Sequence, residues 1–366
     1  MQQRRQFKFI LIFVSAIILL LTLHPIGISW AQNATTTDVI QFPLIVSTRG
    51  NFDPMTGELL PGHTKTDYVV SSDIPGLQSG VCPNEIAIIV HGWGLNQTKA
   101  DERFVRANMS LDHNNYNNNS VVGFSWDANP YKNNWTIAKS TAKDNGPKLA
   151  QFILNYADIC KNLHGQDIKI RLVAHSLGAR VVLSTLDSLY NNQKWNSENF
   201  KVTSVHLMGA AVDNEEISKD LSYILKDPVI VKNMSEWYDV FGIKSAYGKA
   251  IENVTSQFYN LFDPKDKALI KFYTMDENDT ALGLKGKQEG ITASSNYNQR
   301  DVQDQILALS DADADGIYDL GLNKTEPVEK GDNHGGYFGF TNMTNNKKVF
   351  VDDGAMDVVV EQWCNK

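Results

Sequence analysis

The sequence predicts an α/β fold in which a mostly parallel central sheet carries helices on both faces. Three observations lead there. Short apolar runs alternate with longer stretches of helical periodicity along most of the chain, as in a parallel sheet covered on both sides. The run Ile168 to Val173 leads through Ala174-His175-Ser176-Leu177-Gly178 into Ala179-Arg180-Val181-Val182-Leu183, a strand, a sharp turn and a helix. Earlier, Glu85-Ile86-Ala87-Ile88-Ile89-Val90 runs straight into the glycine-flanked turn His91-Gly92-Trp93-Gly94. At 366 residues and 42% hydrophobic, the chain can bury one large core, and a single domain over 32–366 is expected.

The first segment reads as an address rather than as fold. Arg4, Arg5 and Lys8 precede the apolar residues 9–23, and Ser29-Trp30-Ala31 offers small residues at a cleavage site after Ala31. Residues 1–31 are therefore expected to be a signal peptide, with an uncleaved membrane anchor as the alternative. The protein should then be secreted or held at the cell surface. Ten N-x-S/T sequons, among them Asn96, Asn108, Asn134 and Asn253, suit a glycosylated exterior.

Strands are expected near residues 41–47, 67–71, 86–90, 121–126, 168–174, 202–209, 256–262 and within 291–309. Between the fourth and fifth, Asp144 to Leu163 places Leu149, Phe152, Ile153, Tyr156 and Ile159 at the spacing of one helical face. Ser125-Trp126-Asp127 closes the fourth strand, its tryptophan either lining a site or packing. Residues 214–255 are too long for a simple connection; Trp237, Tyr238, Val240, Phe241, Ile243 and Tyr247 give them an aromatic, helical character that suits either a cap or ordinary core. The Asn-rich stretch at 114–119 reads as an exposed loop.

Cys82, Cys160 and Cys364 cannot all pair within one chain, so one disulfide and one thiol is the expectation after export. Without CxxC spacing they do not suggest zinc. The net charge is −8, more negative once the basic leader is removed, and no basic stripe is present; nucleic acid is not an expected partner.

A serine on a sharp strand-to-helix turn projects its hydroxyl above the carboxyl end of the sheet. HGWG after one strand and AHSLG after a later one resemble the α/β-hydrolase superfamily on its lipase and esterase side, over roughly residues 40 to 345. The elbow departs from GxSxG in having Ala174 at the first position. The resemblance implies an α/β-hydrolase fold, a triad in chain order nucleophile, acid, histidine, and an oxyanion hole formed by the N–H groups of Trp93 and Leu177. It implies Ser176 as nucleophile. Two histidines follow Ser176: His206, in an apparent strand, suits the core, and His334, in Gly331-Asp332-Asn333-His334-Gly335-Gly336, suits the base. Asp266 is the first choice of acid, with Asp263 and Asp213 as alternatives. His91 and His175 are expected to be structural. In lipases an insertion such as 214–255 forms a cap over the serine.

Asp311-Ala312-Asp313-Ala314-Asp315-Gly316-Ile317-Tyr318-Asp319 puts carboxylates at alternate positions before a glycine, like the start of an EF-hand loop. Leu322 stands where a full loop has its bidentate Glu. Structural Ca2+ held by Asp311, Asp313, Asp315 and Asp319 is the expectation, a solvated acidic loop the alternative, and no organic cofactor is implied.

The resemblance implies hydrolysis of small-molecule or lipid carboxylic esters through an acyl-enzyme. An amidase, peptidase or thioesterase could use the same groups, and a non-catalytic, calcium-binding extracellular protein could share the fold.

Overall fold

A computed structural model describes residues 42, 44–70, 74–77, 81–116, 120–165, 167–220, 246–277, 279–306, 333–344 and 347–364. The leader, the acidic stretch 311–319 and residues 221–245 of the expected cap lie outside the described residues.

Eight strands form the main sheet: β1 (Ile45–Ser47), β2 (Val69–Val70), β3 (Glu85–Val90), β4 (Ser120–Ser125), β5 (Lys169–His175), β6 (Ser204–Met208), β7 (Phe258–Phe262) and β8 (Tyr297–Asp301). Their spatial order is β2-β1-β4-β3-β5-β6-β7-β8, parallel throughout except for the antiparallel edge pair β1–β2. A separate antiparallel pair, β9 (Phe340–Thr344) and β10 (Lys347–Asp352), follows.

Alternation along β3 shows why the strand is apolar at every position after Glu85. Ile86, Ile88 and Val90 enter one core, whereas Ala87 and Ile89 enter the other. The first core is covered by α2 (Trp135–His164), α3 (Gly178–Tyr190) and α5 (Gly248–Val254), and the second by α1 (Gln97–His113) and α6 (Met356–Cys364). The short α4 (Gln193–Ser197) follows α3. Closeness of packing dictates small residues where needed. A Cβ on Gly123 of β4 would stand 2.5 Å from the Phe104 ring of α1.

One helix boundary differs from the sequence expectation, and two aromatic positions take the second of the two roles the sequence left open for them. Helix α2 starts at Trp135 rather than Asp144 and runs 30 residues through Gly146-Pro147. Pro147 removes the N–H that Lys143 O would accept. Ser184 Oγ of α3 donates to that carbonyl instead (2.7 Å), so the neighbouring helix repairs the break. The described end of the expected cap is core: Tyr247 is 2% exposed and opens α5, which packs on α3. Trp126 does not line the site; it is fully buried, with its ring stacked on His91.

Cys82, just before β3, is bonded to Cys160 near the end of α2, and Cys364 is free and exposed. His206 lies in the core as expected. Its Nε2–H donates to Gln362 Oε1 (2.9 Å) and its Nδ1 accepts Trp363 Nε1–H (3.4 Å), so the neutral ring satisfies both nitrogens. Burial pushes its pKa down to about 3.

The disulfide closes a loop of 78 residues, so Cys82→Ser with Cys160→Ser should lower the unfolding free energy by roughly 2–4 kcal/mol in denaturant titrations. His206 is depressed in the folded state, so the unfolded chain binds the extra proton below about pH 6.5. Its stabilising contribution is complete above that value and declines towards pH 3. Unfolding free energies measured between pH 7 and pH 4 should fall on acidification, and His206→Phe should reduce the slope by about one proton.

Candidate active site

The elbow is built where β5 meets α3. Ser176 takes φ 56°, a left-handed backbone unusual for a residue with a Cβ. Main-chain bonds from several elements hold it: Ser176 N–H donates to Met208 O (3.0 Å), while Ser176 O accepts from Ala179 N–H (3.0 Å) and Ala211 N–H (3.2 Å). Two glycines make room. A Cβ on Gly178 would meet His91 O at 2.6 Å and Val90 O at 2.8 Å, and one on Gly92 would meet Ser176 Cβ at 2.8 Å. The HGWG turn is thereby pressed against the serine. Ala174 stands where the commoner motif has glycine, pairing with Val90 in the sheet, and its methyl group is fully buried.

His334 opens a 3₁₀ turn, His334–Phe338, and its Nε2 lies 2.8 Å from Ser176 Oγ. Its Nδ1 lies 2.6 Å from Asp266 Oδ2. Asp266, fully buried just beyond β7, is the carboxylate that meets His334. Its other oxygen, Oδ1, accepts Leu269 N–H (3.0 Å), and Tyr337 Oη donates to Oδ2 (3.4 Å), so both oxygens are fixed. The alternatives lie elsewhere. Asp213 accepts the Tyr273 hydroxyl at 2.5 Å. Asp263 accepts Lys265 N–H (2.8 Å) and the Asn333 amide, and burial raises its pKa.

Asn333 was not singled out by the sequence. Its Nδ2 donates to Asp263 Oδ2 and to Lys265 O (3.1 Å), and its Oδ1 accepts Lys267 N–H (3.0 Å). It thus stitches the loop bearing Asp266 to the residue before His334. Its position next to a candidate base was the available signal, but asparagines are so common in this chain that the signal was lost.

On the opposite side, among the described residues, no acceptor meets the main-chain N–H of Trp93 or of Leu177. The turn that carries Trp93 is braced. Gly94 N–H donates to Ala128 O (2.7 Å), and Arg49 Nη2 donates to Leu95 O (3.0 Å). His91 Nε2 faces two donors, Arg49 Nη2 (3.1 Å) and Trp126 N–H (3.2 Å), so its proton sits on Nδ1 and is donated to Gly92 O (2.9 Å). Burial, then the Arg49 charge, holds the His91 pKa well below the ordinary range. The ring is a neutral brace, as expected of a structural histidine. His175, also expected to be structural, is buried too, and its Nε2–H donates to His334 O (2.7 Å).

A cavity of about 100 Å³ opens beside the serine and histidine, walled chiefly by Trp93, Trp135, Leu269, Phe272 and Tyr273, with the carboxylate residue Asp276 also on its wall. Phe272 is half exposed, and Ile270 and Met275, close to it in sequence, are exposed too. Calcium ligands were expected at Asp311, Asp313, Asp315 and Asp319, all outside the described residues.

Residues 80–283 match the family described as "Alpha/beta hydrolase of unknown function" (DUF900). No curated protein matches the chain. Solved structures with a similar fold include an esterase of Pyrococcus furiosus, 13% identical over 60% of this chain and 71% of that one, with a TM-score of 0.30. Another is a thermophilic esterase of Thermogutta terrifontis, 11% identical over 63% and 76%, TM-score 0.35. A third is a siderophore hydrolase of Aspergillus fumigatus, 12% identical over 60% and 82%, TM-score 0.32. These likenesses carry no argument about this chain. The family match spans more than half of the chain, from the strand before HGWG through the elbow and beyond β7, and the chain therefore belongs to this α/β-hydrolase family.

Proposed function

We propose that the protein is an exported serine hydrolase of carboxylic esters. The observation that carries this reading is the continuous line from Ser176 Oγ through the His334 ring to Asp266 Oδ2, at 2.8 and 2.6 Å. Asp266 keeps the proton on Nδ1, so Nε2 is free to accept from the serine as it attacks the ester carbonyl. Charge developing on the carbonyl oxygen is met by the N–H groups of Trp93 and Leu177, which bind the tetrahedral intermediate better than the flat ester. His334 then returns the proton to the leaving alcohol. Water repeats the sequence on the acyl-enzyme.

The small aromatic and aliphatic cavity supports an ester with a short apolar acyl group. The disulfide supports an oxidising compartment, in line with the leader-like first residues. Asn96, Asn134 and Asn253, all exposed, are sequon positions that such a route would modify. Calcium at the 311–319 stretch belongs to the same proposal, with a structural role ahead of His334.

The decisive experiment is labelling of residues 32–366 with a fluorophosphonate, whose fluoride is displaced by an activated serine. Ser176→Ala and His334→Ala should abolish labelling, and Asp266→Asn should lower kcat on p-nitrophenyl butyrate about 10⁴-fold through the wrong tautomer. Folded wild-type protein that is neither labelled nor active on esters from acetyl to dodecanoyl would overturn the reading. A chelator should lower both the melting temperature and turnover; no change in either would remove calcium from the proposal.

A further inference from the structure

The turn that carries His334 is anchored by its carbonyl groups, four of them to groups from elsewhere in the chain. Asn333 O accepts Gly336 N–H (2.9 Å), Gly336 O accepts Gly339 N–H (2.9 Å) and Tyr337 O accepts Ala355 N–H (3.0 Å). The remaining carbonyls are taken by side chains: His334 O by His175 Nε2–H (2.7 Å), Gly335 O by Arg103 Nη1–H (2.7 Å) and Phe338 O by the Ser110 hydroxyl (3.0 Å). Every carbonyl from 333 to 338 is therefore occupied. Gly335 and Gly336 give this stretch more backbone freedom than any other residue type would, so its conformation depends on those bonds.

We propose that His175 and Arg103 are positioning residues, which clamp the His334–Gly335 peptide by its two carbonyl oxygens and so aim His334 Nε2 at Ser176. The inference rests on the serine-hydrolase reading of the site. His175 is placed for this role by the elbow itself. It precedes Ser176, its ring centre lies 4.6 Å from that of His334, and its Nδ1 lies 3.3 Å from where a Cβ on Gly92 would stand. The ring is the common spacer between the oxyanion turn, the elbow and the base. A carbonyl oxygen only accepts, so Nε2 must carry the hydrogen. Burial, followed by the nearby His334 and Arg103 charges, holds its pKa well below the ordinary range, so the ring is neutral and does not compete as a base. Arg103 reaches the neighbouring carbonyl from α1, and a Cβ on Gly335 would stand 3.2 Å from its Nη2. A glycine there admits the guanidinium.

The experiment compares wild type, His175→Phe, His175→Gln and Arg103→Met in p-nitrophenyl butyrate hydrolysis and in the rate of fluorophosphonate labelling, with melting temperatures alongside. His175→Phe keeps the ring and removes the donor, and His175→Gln restores an N–H. A misplaced base lowers kcat and the labelling rate together, by about ten- to a hundredfold, with KM within about twofold, because the substrate cavity is untouched. His175→Gln should recover part of the loss. Arg103→Met, at a half-buried position, should show the same split and carries the test if His175→Phe does not fold. Folded variants with wild-type kcat, or with a changed KM alone, would overturn the clamp. A wild-type protein that is not labelled would instead overturn the serine-hydrolase reading on which it rests.

Discussion

The structure depends on one strained residue. Ser176 sits at φ 56°, a conformation that costs about 1–3 kcal/mol for a residue with a Cβ and persists only where its surroundings over-determine it. Here they do. Three main-chain bonds tie the serine to the end of β6, to the segment after it and to its own helix, and Gly92 and Gly178 remove the atoms that would otherwise push β3 away. The strain turns the hydroxyl out of the sheet. Without it the side chain would follow the strand alternation into one of the two cores.

The rest of the site arrives from far along the chain and is secured by polar contacts. Asp266 uses one oxygen on Leu269 N–H and the other on His334, so the carboxylate orients the imidazole and starts a short helical segment at once. Asn333 joins the acid loop to the base loop. Arg49 and His91 do the corresponding work for the HGWG turn. Burial brings the Arg49 pKa down to about 10 against the opposing pull of Asp127 and Asp101, yet its Nε still donates to Ser125 Oγ and its Nη2 to Leu95 O. The loops around the serine are thus short of freedom on every described side, which is what reaction within a preorganised site requires.

Much of this was legible in the chain because the elbow and the HGWG turn impose local rules. A buried strand, a glycine and a serine at fixed offsets leave little choice of geometry, and the apolar runs of the main strands follow from a sheet covered on both faces. The choice among Asp266, Asp263 and Asp213 was not of that kind. All three follow strands, and Asp263 and Asp266 lie three residues apart in one loop, so only tertiary placement separates a carboxylate that orients the base from one that braces Asn333. The start of α2 was hidden for a similar reason. Pro147 breaks the local pattern, and its compensation lies in Ser184 on another helix. Tyr247 and Trp126 show the remaining limit. An aromatic at helical spacing or at a strand end reads alike whether it faces a ligand or fills a core, and here both are buried.

The pairing of Cys82 with Cys160 leaves Cys364 as the single thiol in a chain of three cysteines, and it is exposed. It lies beside Glu85, Lys169 and Arg171, at the amino ends of β3 and β5, whereas Ser176 stands just past the carboxyl end of β5. Six residue steps separate the two ends of β5, about 20 Å at the usual rise. A maleimide dye therefore has one address, on the side of the sheet away from the nucleophile. Paired with a fluorescent phosphonate on the serine, it makes the natural protein its own molecular ruler, with no engineered cysteine needed.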